Sequence, residues 1–195
     1  MLYKQSRVGK GGKDFTLYKF ATMLEDSPNL EGGLVTAVHD PRVLPFGKFL
    51  RRTKVNELPQ LFNIVKGDMS FVGPRPQTRP HYNLYSDEQK RTIDANCPGI
   101  TGVGSLYFRN EEQMLADCGV DPTRFHDEVI TPYKGDLEIW YSMHESTALY
   151  FKIIYLTAAS IIYRQINTLS YFEGLPTPPP EINRLLTQEQ RQRFR

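Results

Sequence analysis

Apolar and polar residues alternate through residues 3–20 on either side of Lys10-Gly11-Gly12-Lys13, the pattern of two strands joined by a Gly-Gly hairpin turn. Further on the period changes to that of a helix. Leu58, Leu61, Phe62 and Val65 recur at helical spacing, with Asn56 as the expected N-cap, Pro59 in the first turn and Gly67 as the stop. Ser86 followed by Gln89 predicts a capping box over residues 86–95. Asn110 is expected to cap a helix over residues 111–118 that ends at Gly119, and Asp121-Pro122 to open another that ends before Pro132. A long helix is predicted over residues 146–167. Its apolar run of 15 residues (149–163), with Lys152 inside, is too short to cross a bilayer, so it is either buried or lies in an interface.

The intervening stretches read as connections. Residues 23–41 are polar, with Pro28 and Gly32-Gly33, and predict a mobile loop. Residues 41–54 set Arg42, Lys48, Arg51 and Arg52 around Phe46, Phe49 and Leu50. Such a segment either rests on an anionic membrane surface or packs on the core with its basic face solvated. Pro98-Gly99-Ile100-Thr101-Gly102 is expected to be a turn, a weak candidate for an anion nest. After Gly174 a Pro-rich stretch leads into a polar end expected to fray.

Composition narrows the function classes. The 195 residues suit one domain with a real core, at 39% hydrophobic and 24% charged. The net charge of +2 is unevenly spread, because residues 1–54 hold ten Lys/Arg against five acids. A basic half fits nucleic acid, anionic lipid or a nucleotide diphosphate. No nucleic-acid motif accompanies it and no aromatic stacking platform is interleaved with it, so a nucleic-acid partner is not expected. Cys97 and Cys118 form no disulfide framework and read as residues of a reducing cytosol. His39, His81, His126 and His144 are scattered along the chain, so no zinc site is expected. Lys10 and Lys13 follow glycines but lack the Ser/Thr and the spacing of a nucleotide-binding P-loop.

The stretch from 49 to 76 carries the candidate chemistry. Glu57 stands at a helix start beside Arg51 and Arg52, where the helix dipole and the arginines keep a carboxylate ionised. Pro74 and Pro76 stiffen the backbone on both sides of Arg75 and present one guanidinium, a group that can pair two phosphate oxygens at once. A solvated surface arginine in a turn is the plain alternative for that segment alone.

The run LPQLFNIVKGDMSFVGPRP (58–76) resembles the signature of the bacterial sugar transferases, the monotopic polyprenol-phosphate phosphoglycosyl transferases. QSRVGKGGKDFTLYKFATM upstream is similar to their opening hairpin, and PGITG, FRNEE and DLEIWY follow in family order, over residues 3–167 in all. The resemblance implies an α+β fold, a helix-rich single catalytic domain with an N-terminal β-hairpin and amphipathic interfacial helices. Residues 1–170 would form the core and 171–195 a Pro-rich, polar tail. It implies transfer of a phospho-sugar from a UDP-sugar to polyprenyl (undecaprenyl) phosphate with release of UMP, the initiating step of exopolysaccharide or glycoconjugate synthesis. Mg²⁺ is the expected cofactor, and the expected place is the cytoplasmic face of the bacterial inner membrane, on its surface. The question of a homodimer stays open. The family normally begins with a hydrophobic re-entrant helix before the hairpin, and this chain starts after that point, as expected of a truncated form or of a gene start lying further upstream.

By the same resemblance Glu57 and Asn56 occupy the catalytic dyad, in which relatives use an Asp nucleophile to form a covalent phospho-sugar enzyme. Lys19, Arg51, Arg52 and Arg75 would bind substrate phosphates, Arg109 and Asn110 would line the sugar or nucleotide pocket, and Glu57 would hold Mg²⁺. The chain departs from the family at four places: Asn56 replaces the Asp, Ala21 an arginine, Tyr150 an acid and Phe108 a glycine. Glu57 therefore either takes over as nucleophile, serves a direct displacement as general base or Mg²⁺ ligand, or belongs to a non-catalytic module that binds phosphate, lipid or a partner.

Overall fold

The computed structural model describes residues 1–30, 36, 40–163 and 166–193. Residues 31–35 and 37–39 of the loop expected over 23–41, residues 164–165 of the predicted long helix, and the last two residues lie outside these. The expected hairpin is present. Strands β1 (Leu2–Val8) and β2 (Asp14–Phe20) pair antiparallel from Val8↔Asp14 to Leu2↔Phe20. Gly11 (φ 70) and Gly12 (φ 69) turn the chain between them in the left-handed region, where a side chain is disfavoured.

The basic segment becomes helix α1 (Pro45–Thr53), which buries Gly47 and Leu50 and leaves Phe46 and Phe49 stacked and exposed. Arg42, expected on a solvated face, is instead buried against Asp40 at 2.6 Å and donates to the Ser27 carbonyl. Lys54, at φ 60, turns the chain sharply into a 3₁₀ turn (Val55–Glu57) and then α2 (Gln60–Val65), which stops at Gly67 (φ 83). Asn56 caps nothing here, because the 3₁₀ turn comes first and Pro59 takes the N-cap position of α2.

Helix α2 is turned opposite to its apolar pattern. Asn63 is fully buried and Gln60 nearly so, while Leu58, Leu61, Phe62 and Val65 are exposed, Val65 at 87%. The cause is the free edge of β2. Asn63 Oδ1 accepts from the Tyr18 N–H (3.1 Å) and its Nδ2 donates to the Thr16 carbonyl (2.7 Å), so one side chain satisfies two backbone groups of the strand.

Strand β3 (Ser70–Val72) pairs in parallel with β4 (Gly99–Thr101). The expected turn at 98–102 is thus a strand, and its backbone groups are spent on pairing: Gly99 N–H donates to the Pro74 carbonyl, and the Thr101 carbonyl accepts from Gly73. The crossing is so close that a Cβ on Gly99 would lie 2.2 Å from the Gly73 nitrogen. Gly99→Ala should therefore destabilise the protein by about 3 kcal/mol. At this chain length that lowers Tm by about 6–12 °C, to be read in a thermal melt.

Between the strands lie α3 (Arg79–Asn83) and α4 (Asp87–Ala95), the latter opened by the expected Ser86–Gln89 capping box. Then follow α5 (Val103–Tyr107) and α6 (Glu111–Asp117), the latter with Asn110 at the N-cap position but no side-chain cap bond. Helix α7 (Pro122–Phe125) does not end before Pro132. It continues through a π turn (His126–Ile130) into α8 (Thr131–His144), with the Thr131 N–H donating to the His126 carbonyl. Pro132 has no N–H for the preceding turn, and the widened turn absorbs that loss.

Helix α9 (Thr147–Ile162), capped by Ser146, packs one side on the core and leaves the other exposed. Ile153 and Leu156 are buried in the main core, while Phe151, Tyr155 and Ile162 on the other side are exposed. No helix among the described residues is long and apolar enough to cross a membrane. Helix α10 (Pro180–Arg193) forms where a fraying polar end was expected, after the Pro-rich stretch 176–179, and Ile182 and Leu185 join the core with Tyr133, Leu137 and Leu156. Both cysteines are free. The fold is α+β and rich in helix, as expected.

Candidate active site

Glu57 reaches the cleft from the 3₁₀ turn between α1 and α2, with its side chain 12% exposed. Arg75, held between the two prolines that follow β3, donates to Glu57 Oε1 at 3.0 Å. Burial pushes the carboxyl up, but Arg75, Lys54 and Lys19 outweigh it and hold it below the usual carboxylate range. Lys19, near the end of β2, donates to Gln5 and is pushed down to about 8, by burial first and then by repulsion from Arg7, Arg75 and Arg51.

The cleft thus loses one cation as pH rises through about 8. Affinity for a diphosphate ligand such as UDP is expected to weaken over that interval, and Lys19→Arg, whose cation persists, to remove the step. Calorimetric titration of UDP on either side of the transition checks this.

Arg51 is directed to Glu112 (2.9 Å) rather than to Glu57, and Arg52 is exposed on the cleft rim. Arg109 and Asn110 line the same cleft at the start of α6. Of the six residues expected around the phosphates and the dyad, the fold brings Lys19, Asn56, Glu57 and Arg75 onto one wall with Arg51 and Arg52 at its edge. Two cations were missed by sequence reasoning. Arg7 lines the cleft and donates to the Pro76 carbonyl, which couples the hairpin to the Arg75 loop; burial and Arg75 lower it to about 10. Lys54 is one of the charges that hold Glu57 ionised. Arg7 lies in the hairpin motif and Lys54 in the stretch 49–76, but only the register of β1 against β2 and the left-handed turn at Lys54 bring them to the cleft.

Asn56 Oδ1 is buried without a hydrogen-bond partner among the described residues. An orphaned oxygen beside an ionised carboxylate is a donor set that fits a hard, oxygen-preferring cation. Three neighbouring cations oppose a metal bound alone, so a diphosphate would have to accompany it.

Deeper in the cleft, Glu111 accepts from Lys134 (2.8 and 2.9 Å) and faces His126 Nε2 at 3.4 Å. Burial raises the Glu111 carboxyl, but Lys134, His126 and Arg75 outweigh it and keep it low. Glu138, fully inside α8, behaves oppositely: burial lifts it to about 8, and its Oε2 has no partner among the described residues. Phe108, the departure from the family glycine, is buried beneath Lys134 and packs against Tyr107 and Tyr133, so it builds the cleft floor. The expectation of scattered histidines is corrected for two of them, since His81 and His126 meet with ring centroids 4.6 Å apart.

Fold and cleft together define a helix-rich α+β domain that holds an ionised carboxylate among cations, beside exposed apolar helices. The chain belongs to the bacterial sugar transferase family, whose model matches residues 1–164. It is 44% identical over 119 residues to a putative undecaprenyl-phosphate N-acetylgalactosaminyl 1-phosphate transferase of Bacillus subtilis, covering 60% of this chain and 62% of that protein. It is 34% identical over 162 residues to an uncharacterized sugar transferase, EpsL, of the same species, covering 83% and 70%. With the galactosyl transferase CpsE of Streptococcus agalactiae it shares 40% identity over 121 residues, 56% of this chain and only 26% of that protein. The chain thus spans 26% to 70% of these relatives' lengths.

Proposed function

We propose that the chain transfers a phospho-sugar from a UDP-sugar to polyprenyl phosphate and releases UMP, as the initiating step of exopolysaccharide or glycoconjugate assembly. The observation that carries this reading is the Glu57 carboxylate, kept ionised at 3.0 Å from Arg75 with Lys19 and Lys54 around it. Ionised in the cleft with Arg75, Lys54 and Lys19 around it, Glu57 acts as the nucleophile. One of its oxygens attacks the β-phosphorus, a bond forms between them, and the bond to the UMP oxygen breaks with its electron pair leaving on UMP. An oxygen of polyprenyl phosphate then attacks the same phosphorus and frees Glu57 as carboxylate. Arg75 and Lys19 offset the repulsion between carboxylate and diphosphate. Mg²⁺ bound with the diphosphate at Glu57 and Asn56 Oδ1 would supply further charge neutralisation.

The named relatives support the chemical class, since one bears the name of a putative undecaprenyl-phosphate sugar 1-phosphate transferase. A second reading rests on Asn56: with an amide where relatives carry the nucleophile, the chain is a binding module that keeps the cationic cleft without turnover. The deciding experiment measures UMP release from a panel of UDP-sugars with Mg²⁺, polyprenyl phosphate and lipid. Activity in the parent chain supports transfer. Silence in the parent with activity in Asn56→Asp supports the module.

The site works at the cytoplasmic face of the bacterial inner membrane. Phe46, Leu58, Leu61 and Phe71, all exposed, line the same cleft as the cations, and Phe62 is 70% exposed on the neighbouring α2. Apolar side chains flanking basic ones match a bilayer interface with anionic headgroups. Phe62→Ser should lower partitioning onto anionic vesicles about tenfold, from about 1.5 kcal/mol of apolar burial, and leave the melting temperature unchanged. Vesicle co-sedimentation reads the first effect and a thermal melt the second.

A further inference from the structure

The His81–His126 pair does not stand alone. His126 and Asp127 open the π turn, and their ligating atoms, with that of His81 on α3, lie within 4.8 Å of one another. His126 Nδ1 is 2.8 Å from Asp127 Oδ1, and His81 Nε2 is 3.7 Å from the same oxygen. Two consecutive residues of a regular α-helix point about 100° apart. The widened turn forced by Pro132 is what lets His126 and Asp127 converge on His81, and such π turns recur at functional sites.

The surroundings fit a metal better than a simple hydrogen-bonded cluster. Glu111 Oε1 faces His126 Nε2 at 3.4 Å and is itself fixed by Lys134. That places a carboxylate behind the ring, ready to hold the proton on Nε2 when a metal takes Nδ1 in place of the 2.8 Å contact to Asp127. Thr131 Oγ1 also approaches Nδ1, at 3.4 Å. The cations nearby are committed elsewhere, Lys134 to Glu111 and Arg7 to Gln5 and the Pro76 carbonyl. Zinc bonds of about 2.0–2.1 Å put tetrahedral ligands about 3.3 Å apart, so each side chain need move by about an ångström or less.

We propose that His81, His126 and Asp127 bind one nitrogen-preferring first-row divalent ion, zinc in class, at a site separate from the oxygen ligands at Glu57 and Asn56. Mg²⁺ does not suit it, because imidazole ligands select the transition ions. Three protein ligands leave a position for water or a substrate oxygen. Both histidines line the cleft, so that position faces it.

The test is titration of the tag-free, metal-stripped full chain with Co²⁺, followed by visible absorption. One equivalent should bind, be displaced by stoichiometric Zn²⁺, and resist about a thousandfold excess of Mg²⁺. His81→Gln and Asp127→Asn should each weaken binding at least tenfold while their metal-free melts match the parent's; Asp127, 32% exposed, is the less disruptive of the two. Glu57→Gln and His144→Gln should leave the affinity unchanged. A parent chain that binds no Co²⁺, binding that survives in both cluster variants, or displacement by Mg²⁺ overturns the proposal. None of these readouts depends on transfer activity, so failure here and failure of the transferase reading are separate results.

Discussion

Glu57→Gln is expected to lower UMP release by at least about a thousandfold while the protein still binds UDP-sugar. The amide keeps the shape and still accepts from Arg75, but it carries no charge and forms no acyl phosphate. Stability should change little, because Arg75 remains 45% exposed and solvated when its partner loses charge. The sign of the binding change is diagnostic. Removing the carboxylate leaves Arg75, Lys54 and Lys19 facing the cleft without their anion, so affinity for UDP should rise. A loss of rate with tighter UDP binding supports a carboxylate that works on the reacting phosphorus. Equal losses of rate and affinity would mean that Glu57 only shapes the cleft, and an undiminished rate would remove it from the chemistry. Paired measurements of turnover and of calorimetric affinity separate the three.

Much of the scaffold around Glu57 is legible in the sequence, and the reasons for what is not are physical. The alternation through residues 3–20 and the paired glycines define the hairpin because both signals are local, as is the Ser86–Gln89 capping box. Sequence also points to Glu57 and Arg75 as neighbours in one motif, and the fold joins them at 3.0 Å. What escapes is anything decided by a distant partner. Residues 98–102 read as a Pro/Gly turn because the strand they pair with, Ser70–Val72, lies far back in the chain. Pro132 reads as a helix end because a π turn has no pattern of its own. His81 and His126 read as scattered because only that turn and the position of Arg79–Asn83 bring them together. Arg42 reads as surface charge because the Ser27 carbonyl that it reaches lies 15 residues back in the chain.

The deepest of these reversals, helix α2, gives the second large effect. By its pattern, replacing the polar Asn63 with leucine extends an apolar helix and ought to stabilise it. Asn63→Leu is expected instead to cost about 2–6 kcal/mol, because the fully buried side chain is the partner of the Tyr18 N–H and the Thr16 carbonyl, each of which would be left part-buried and unpaired at about 1–3 kcal/mol. For a chain of this length that is a fall in Tm of roughly 4–24 °C. Asn63→Asp should fall in between, since it restores an acceptor for Tyr18 but offers no donor to Thr16. Phe62→Ser, one residue away on the exposed side, should shift Tm by almost nothing. This ordering follows from a helix whose polar side is its packed side and whose apolar side serves something other than the core. If Asn63→Leu melted at or above the parent, the bonds to β2 would not be what seats α2, and the outward apolar face would lose its structural reason. The same seating carries Glu57, three residues before the first turn of α2, so a parallel loss of UDP affinity in Asn63→Leu would tie the hairpin edge to the cleft.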